Sequence, residues 1–133
     1  MVVDDSYNSS PSALARSLDV VAREQSATRK IAVLGEMLEL GGHAERLHAE
    51  SGRLAAQSGI DVLFAIGGPA ARTLATAAID AGMPAGAVTY FASSEEAAPV
   101  IAGAVSAGDL VLVKGSRGIR TDLVVDRLAA ERA

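Results

Sequence analysis

Short runs of Val, Ile and Leu recur at residues 1–5, 31–35, 62–66, 88–91 and 110–114, each followed by a longer segment of helical period. The runs show little polar alternation, which is the pattern of strands covered on both faces. The intervening segments predict helices over 11–24, 44–57, 69–81 and 95–106, and a last one over roughly 119–131. Residues Leu14, Leu18, Val21 and Ala22 form one stripe of the first helix, with Arg16, Asp19 and Arg23 largely off it. Strand–helix alternation at this spacing requires parallel strands joined by right-handed crossovers. The expected fold is therefore a three-layer α/β sandwich.

Cap signals support the helix starts. Ser10 precedes Pro11, and Ser94 precedes Glu95 and Glu96, so Ser10 and Ser94 are the expected N-caps. The last helix carries Leu123, Val124 and Leu128 and ends in Arg127 and Arg132. The chain opens directly on a strand-like run, as expected of a domain cut from a longer protein.

Composition narrows the function. The 133 residues hold 12 Lys+Arg against 16 Asp+Glu, and this acidic balance argues against a general nucleic-acid binder. Without cysteine there is no disulfide, thiolate metal site or Cys nucleophile. No apolar run approaches the ~20 residues of a membrane helix, so the expectation is a soluble, cytoplasmic protein without membrane insertion. Half the residues are hydrophobic but only 3% are aromatic, which leaves Ala, Val, Leu and Ile to build the core.

In parallel sheets ligands bind at the carboxyl ends of the strands. Asp4-Asp5-Ser6-Tyr7-Asn8 follows the first strand, Glu36-Met37-Leu38-Glu39-Leu40-Gly41-Gly42 the second and Gly67-Gly68-Pro69 the third. Ala92-Ser93-Ser94 follows the fourth and Gly115-Ser116-Arg117-Gly118 the fifth. A carboxylate such as Asp5 can accept from a ribose, pair with Arg or hold a metal's waters. Ser9 and Ser10 are better read as turn and cap residues. Lys114, Ser116 and Arg117 could grip a phosphate or carboxylate, or belong to a tight turn with its cations in solvent. Met37, Leu38 and Leu40 read as packing residues.

No G-x-x-x-x-G-K-[ST] phosphate loop occurs, and Gly67-Gly68-Pro69 is a poor substitute for G-x-G-x-x-G. His43 and His48 stand five apart rather than the four of a metal-binding helix pair. They read as surface or helix-end residues, with His48 the one able to face the rim. Acids after the first strand and Lys114 after the fifth also fit a signalling receiver domain. Its phosphoacceptor Asp, however, should stand where Ile66-Gly67-Gly68 stands. A stand-alone nucleotide-binding or interaction module is the blander alternative.

Three motifs carry a resemblance in order and spacing: Asp4-Asp5-Ser6-Tyr7-Asn8-x-x-Pro11, Val33-Leu34-Gly35-Glu36-Met37-Leu38-Glu39-Leu40-Gly41 and Val113-Lys114-Gly115-Ser116-Arg117. Together they resemble the C-terminal domain of the Mur ligases, specifically those that join D-alanyl-D-alanine to a UDP-N-acetylmuramoyl-tripeptide in peptidoglycan synthesis. The resemblance runs from Val2 to about Leu128. It implies a three-domain, ATP-dependent amide ligase working through an acyl phosphate, with this chain as the third domain, inactive alone. ATP and Mg would be held mainly by a central domain, and the UDP-linked substrate mainly by the other domains.

The resemblance also implies a Rossmann-like, mostly parallel sheet of five or six strands, one of them antiparallel. Asp5, Tyr7 and Asn8 would line the ATP. Glu36, Lys114, Ser116 and Arg117 would face the incoming dipeptide. No metal ligand is implied in this domain. Ser9-Ser10 departs from the family's Ala-Asn, and Thr121-Asp122 from its Met-Glu.

Overall fold

The computed structural model describes residues 1–5, 10–38, 40–115 and 118–132, with the side chains of Asp5 and Arg132 excepted. Strands β1 (Val2–Asp5), β2 (Arg29–Gly35), β3 (Val62–Ile66), β4 (Val88–Phe91) and β5 (Asp109–Lys114) form one sheet in the order β1-β5-β2-β3-β4. Every pairing is parallel. Helices α1 (Pro11–Arg23), α2 (Ala44–Gln57), α3 (Pro69–Asp80) and α4 (Ser94–Ala104) make the crossovers, and α5 (Asp122–Arg132) follows β5.

The pleat divides the apolar residues cleanly. Ala32, Leu34, Leu63, Ala65, Leu110 and Leu112 face α1, α2 and α3. Their neighbours Ile31, Val33, Phe64, Ile66, Val111 and Val113 face α4 and α5. A central strand buried on both faces must be apolar at every position, which is why these runs lack alternation. The α2–α3 seam is especially tight, because Gly52 has no Cβ to hold the helices apart: one there would stand 3.1 Å from both Ala77 Cβ and the Ala78 nitrogen.

Four expectations need correction. No antiparallel strand exists among the described residues; the segments between strands are taken up by helical crossovers, leaving no spare extended run. Helix α5 begins at Asp122 rather than near Ile119, because Arg120 sits in the left-handed region (φ 60°), where a right-handed helix cannot run. The N-cap of α4 is Ser93, whose Oγ accepts from Glu96 N–H at 3.3 Å, while Ser94 lies inside the helix. Glu96 stands three residues after Ser93, which is capping-box spacing. Leu38, expected to pack, is 40% exposed. Ser10 does cap α1, accepting from Ala13 N–H at 3.2 Å.

Among the described residues no helix is long and apolar enough to cross a membrane.

Candidate functional site

Chain direction decides where crevices open. After β1, β2 and β3 the chain passes to helices on one face, and after β4 and β5 to helices on the other. Neighbouring strands whose connections diverge leave a gap at their carboxyl ends. Such gaps flank β5, against β1 on one side and β2 on the other. A third lies between β3 and β4.

Two of the expected site residues, Asp5 and Lys114, end neighbouring strands beside such a crevice. Lys114 is in register with Asp5 of β1 and with Leu34 of β2, and adjacent strands lie about 4.8 Å apart. The alternation that sends Leu110 and Leu112 toward α1–α3 carries Lys114 the same way. Its side chain is 1% exposed, and a buried ammonium is tolerable only with acceptors around it. Of the remaining expected residues, Tyr7, Asn8, Ser116 and Arg117 lie outside the described residues, and Asp5 is described in its backbone alone.

Above these strand ends Thr121 is wholly buried. A Cβ on Gly115 would lie 2.7 Å from Thr121 Cγ2, and one on Gly35 would lie 2.9 Å from the same atom. Only glycine at both strand ends lets Thr121 seat there. Next to it, Arg120 grips Asp122 with Nε at 2.9 Å and Nη2 at 3.0 Å, and this bond holds the Asp122 carboxyl below its ordinary pKa. Ser94 Oγ donates to the Ile119 carbonyl at 2.7 Å, tying α4 to the same turn.

Beyond β2 the segment 36–38 is held from several sides. Glu36 N–H donates to the Ile66 carbonyl at 2.8 Å, extending the β2–β3 pairing. The Glu36 carboxylate accepts at Oε1 from Gly68 N–H (3.0 Å) and Ala71 N–H (3.3 Å). Gly68 is the N-cap position of α3 and supplies no side chain, so a carboxylate from another loop takes up that helix's unpaired donors. Gly67 makes room for it, at φ 143° and with space for no Cβ, since one would lie 2.6 Å from Glu36 Cβ. Tyr90 donates its hydroxyl hydrogen to the Gly67 carbonyl.

His48 is buried at 0% exposure, which overturns the surface placement and fits the alternative that it faces the loop after β2. Its Nε2 stands 2.8 Å from Met37 N, and its Nδ1 stands 2.6 Å from the Ala44 carbonyl oxygen. The sequence did carry a signal. His48, Ser51, Gly52 and Ala55, the buried residues of α2, follow i, i+3, i+4, i+7 spacing, which marks the inward face.

A concavity of about 830 Å³ lies elsewhere, between α2, α3 and β4. Arg53, Arg72, Thr76, Asp80 and Tyr90 line it, with the Arg72 guanidinium 4.7 Å above the Tyr90 ring. Among the described residues, none of the expected site residues does. Among the described residues no cluster of three or more His, Cys, Asp or Glu could hold a metal.

A family model described as the Mur ligase glutamate ligase domain matches residues 1–117. The chain belongs to the Mur ligase family. The UDP-N-acetylmuramoyl-tripeptide–D-alanyl-D-alanine ligase of Bacillus subtilis is 29% identical over 127 residues, which span 96% of this chain and 27% of that relative. Its counterpart in Rickettsia prowazekii is 31% identical over 126 residues, or 94% of this chain and 26% of the relative. The crystal structure of MurF ligase from Thermotoga maritima in complex with ADP superimposes with a TM-score of 0.76 at 28% identity, covering 99% of this chain and 29% of that one. The chain thus spans little more than a quarter of the length of these relatives.

The sheet order also separates the chain from receiver domains, whose strands run 2-1-3-4-5.

Proposed function

We propose that this chain is the closing domain of an ATP-dependent amide ligase that adds D-alanyl-D-alanine to UDP-N-acetylmuramoyl-tripeptide in the cytoplasm. The observation that carries this reading is the adjacency of β1 and β5. It sets Asp5 and Lys114 in register at one crevice, within a chain whose relatives bear that ligase name.

In this reading ATP supplies the phosphoryl group that turns the tripeptide carboxylate into an acyl phosphate, and the dipeptide amine then attacks. The described residues offer no metal cluster, and Glu36 already fills the donors at the α3 N-terminus. By the resemblance to the Mur ligases, the triphosphate and Mg are held mainly by another domain, as is most of the UDP-linked substrate. Asp5, Tyr7 and Asn8 contact the nucleotide. Ser116 and Arg117 offer donors and a cation to the dipeptide carboxylate, a pairing that charge-assisted hydrogen bonds favour, while Lys114, whose side chain is buried, adds its charge to the site without direct contact. Glu36 follows β2, across β5 from Asp5, with its carboxylate oriented by α3, and takes part at the rim from that side. Closure of this domain over the other excludes the water that would hydrolyse an acyl phosphate.

The test is ADP release by the full-length ligase carrying this domain, with the tripeptide substrate present and D-alanyl-D-alanine added or withheld. The proposal expects release that depends on the dipeptide, and none from the 133-residue chain alone. Product formation by the chain alone, or ADP release indifferent to the dipeptide, would refute it.

A further inference from the structure

His48 has the geometry of a part whose work is already assigned. Met37 N–H can only donate, so the Nε2 that meets it at 2.8 Å must be unprotonated. The Ala44 carbonyl can only accept, so the Nδ1 at 2.6 Å must carry the ring proton. The imidazole is thus neutral, in its Nδ1–H form, and satisfied at both nitrogens within the chain. Neither nitrogen is left for a metal or for a substrate proton.

Without this bond the Met37 amide would be a buried donor lacking a partner, since Met37 is itself buried beside α2. The contact also closes a circuit. From α2, His48 holds Met37; the adjacent Glu36 holds the α3 N-terminus at Gly68 and Ala71; and α3 returns to α2 where Gly52 meets Ala77 and Ala78. Gly52 lies four residues after His48, one turn along the same face. The backbone at 36–37 cannot shift at the rim without breaking one of these links.

We propose that His48 is a positioning residue for the substrate crevice, holding the Glu36–Met37 backbone beside the end of β5 through its unprotonated Nε2. The inference rests on the ligase reading above, because it takes that crevice as the place where substrates meet.

Two substitutions separate the bond from general packing. His48→Phe keeps a buried ring but offers no acceptor, whereas His48→Gln can present its amide oxygen where Nε2 stood. In the 133-residue chain, Met37 amide exchange should quicken about tenfold in His48→Phe and return close to the wild-type rate in His48→Gln, the scale of one ordinary hydrogen bond. Nitrogen NMR of the wild-type ring should show a proton on Nδ1 and none on Nε2, a result that needs no variant to fold. In the full-length ligase, His48→Phe should raise the dipeptide KM about tenfold and leave the ATP KM unchanged, with Gln restoring it. A merely structural role would reduce the folded fraction, and hence kcat, without that split.

A proton on Nε2, unchanged Met37 exchange in His48→Phe, or a Gln variant that behaves like Phe would each overturn the proposal. Altered exchange with an unaltered dipeptide KM would overturn its functional half. Absence of dipeptide-dependent ADP release in the wild-type ligase would instead bring down the ligase reading, a failure visible before any His48 variant is made.

Discussion

Gly52→Ala is a substitution for which helix propensity and packing predict opposite signs. In a helix interior Ala is favoured over Gly by about 1 kcal/mol, so a reading of α2 in isolation expects a more stable protein. The fold says otherwise. The new methyl would be driven into the Leu74 carbonyl oxygen and within 3.1 Å of Ala77 Cβ and Ala78 N. Backbone cannot rotate away as a side chain can, so α2 and α3 must part by roughly 1 Å, a gap that forfeits a quarter to a half of the dispersion between facing atoms.

The seam at risk includes the buried residues Ala55, Leu74 and Ala78. Overpacking of this kind costs about 1–3 kcal/mol, and rigid backbone on one side places it near the upper end. After the propensity gain, the expected loss is about 2 kcal/mol. For a chain of this length that lowers the melting temperature by roughly 6–10 °C. Thermal unfolding followed by circular dichroism measures it, with urea unfolding as the check on ΔG. The moved α2 should also lengthen the Met37–His48 bond, so Met37 amide exchange should quicken in the same variant. A melting temperature equal to or above wild type would refute the close helix contact and the sign reversal with it.

Two further outcomes follow from the site's surroundings. Ser94→Asp should destabilise by about 2 kcal/mol, because it buries a carboxylate in place of the hydroxyl that donates to Ile119; Ser93→Asp should be near neutral, since Asp caps as well as Ser. Equal effects in denaturant melts would contradict the placement of the cap at Ser93. Asp122 has its pKa lowered by the hydrogen bond from Arg120. Its contribution, about 1 kcal/mol or less because Arg120 is exposed to solvent, is therefore present above the unfolded value near 3.9 and lost as pH falls through the lower folded value. A carboxyl NMR titration should find the Asp122 midpoint below the ordinary range, and Arg120→Ala should raise it; an unmoved midpoint would contradict the pairing.

What the sequence made legible divides by the range of the interaction. Strands β3 and β4 and helix α2 coincide with their expected bounds, because local apolar runs and a local period define them. Strand β2 starts two residues earlier than its apolar run, at Arg29 and Lys30, because Arg29 is made compatible with the sheet by its ion pair to Asp109 at 2.8 Å, eighty residues away. The rim itself was readable, since parallel strands deliver their following loops to one end. Its internal partnerships were not: Glu36 meets Gly68 and Ala71 across 32 and 35 residues, and no local pattern records that. His48 is the instructive case. Its spacing from His43 excludes a metal pair and leaves a surface, helix-end or rim-facing position open, whereas the stripe it forms with Ser51, Gly52 and Ala55 points inward.

The proposed function requires that the rim beside β5 serve both nucleotide and dipeptide through different residues. Steady-state KM values for ATP and for D-alanyl-D-alanine in Asp5→Ala and Arg117→Ala forms of the full-length ligase test it most directly. Asp5→Ala should raise the ATP value alone, and Arg117→Ala the dipeptide value alone, each by about tenfold for the loss of one charge-assisted contact. Equal shifts of both constants in both variants, or no shift in either, would contradict the claim.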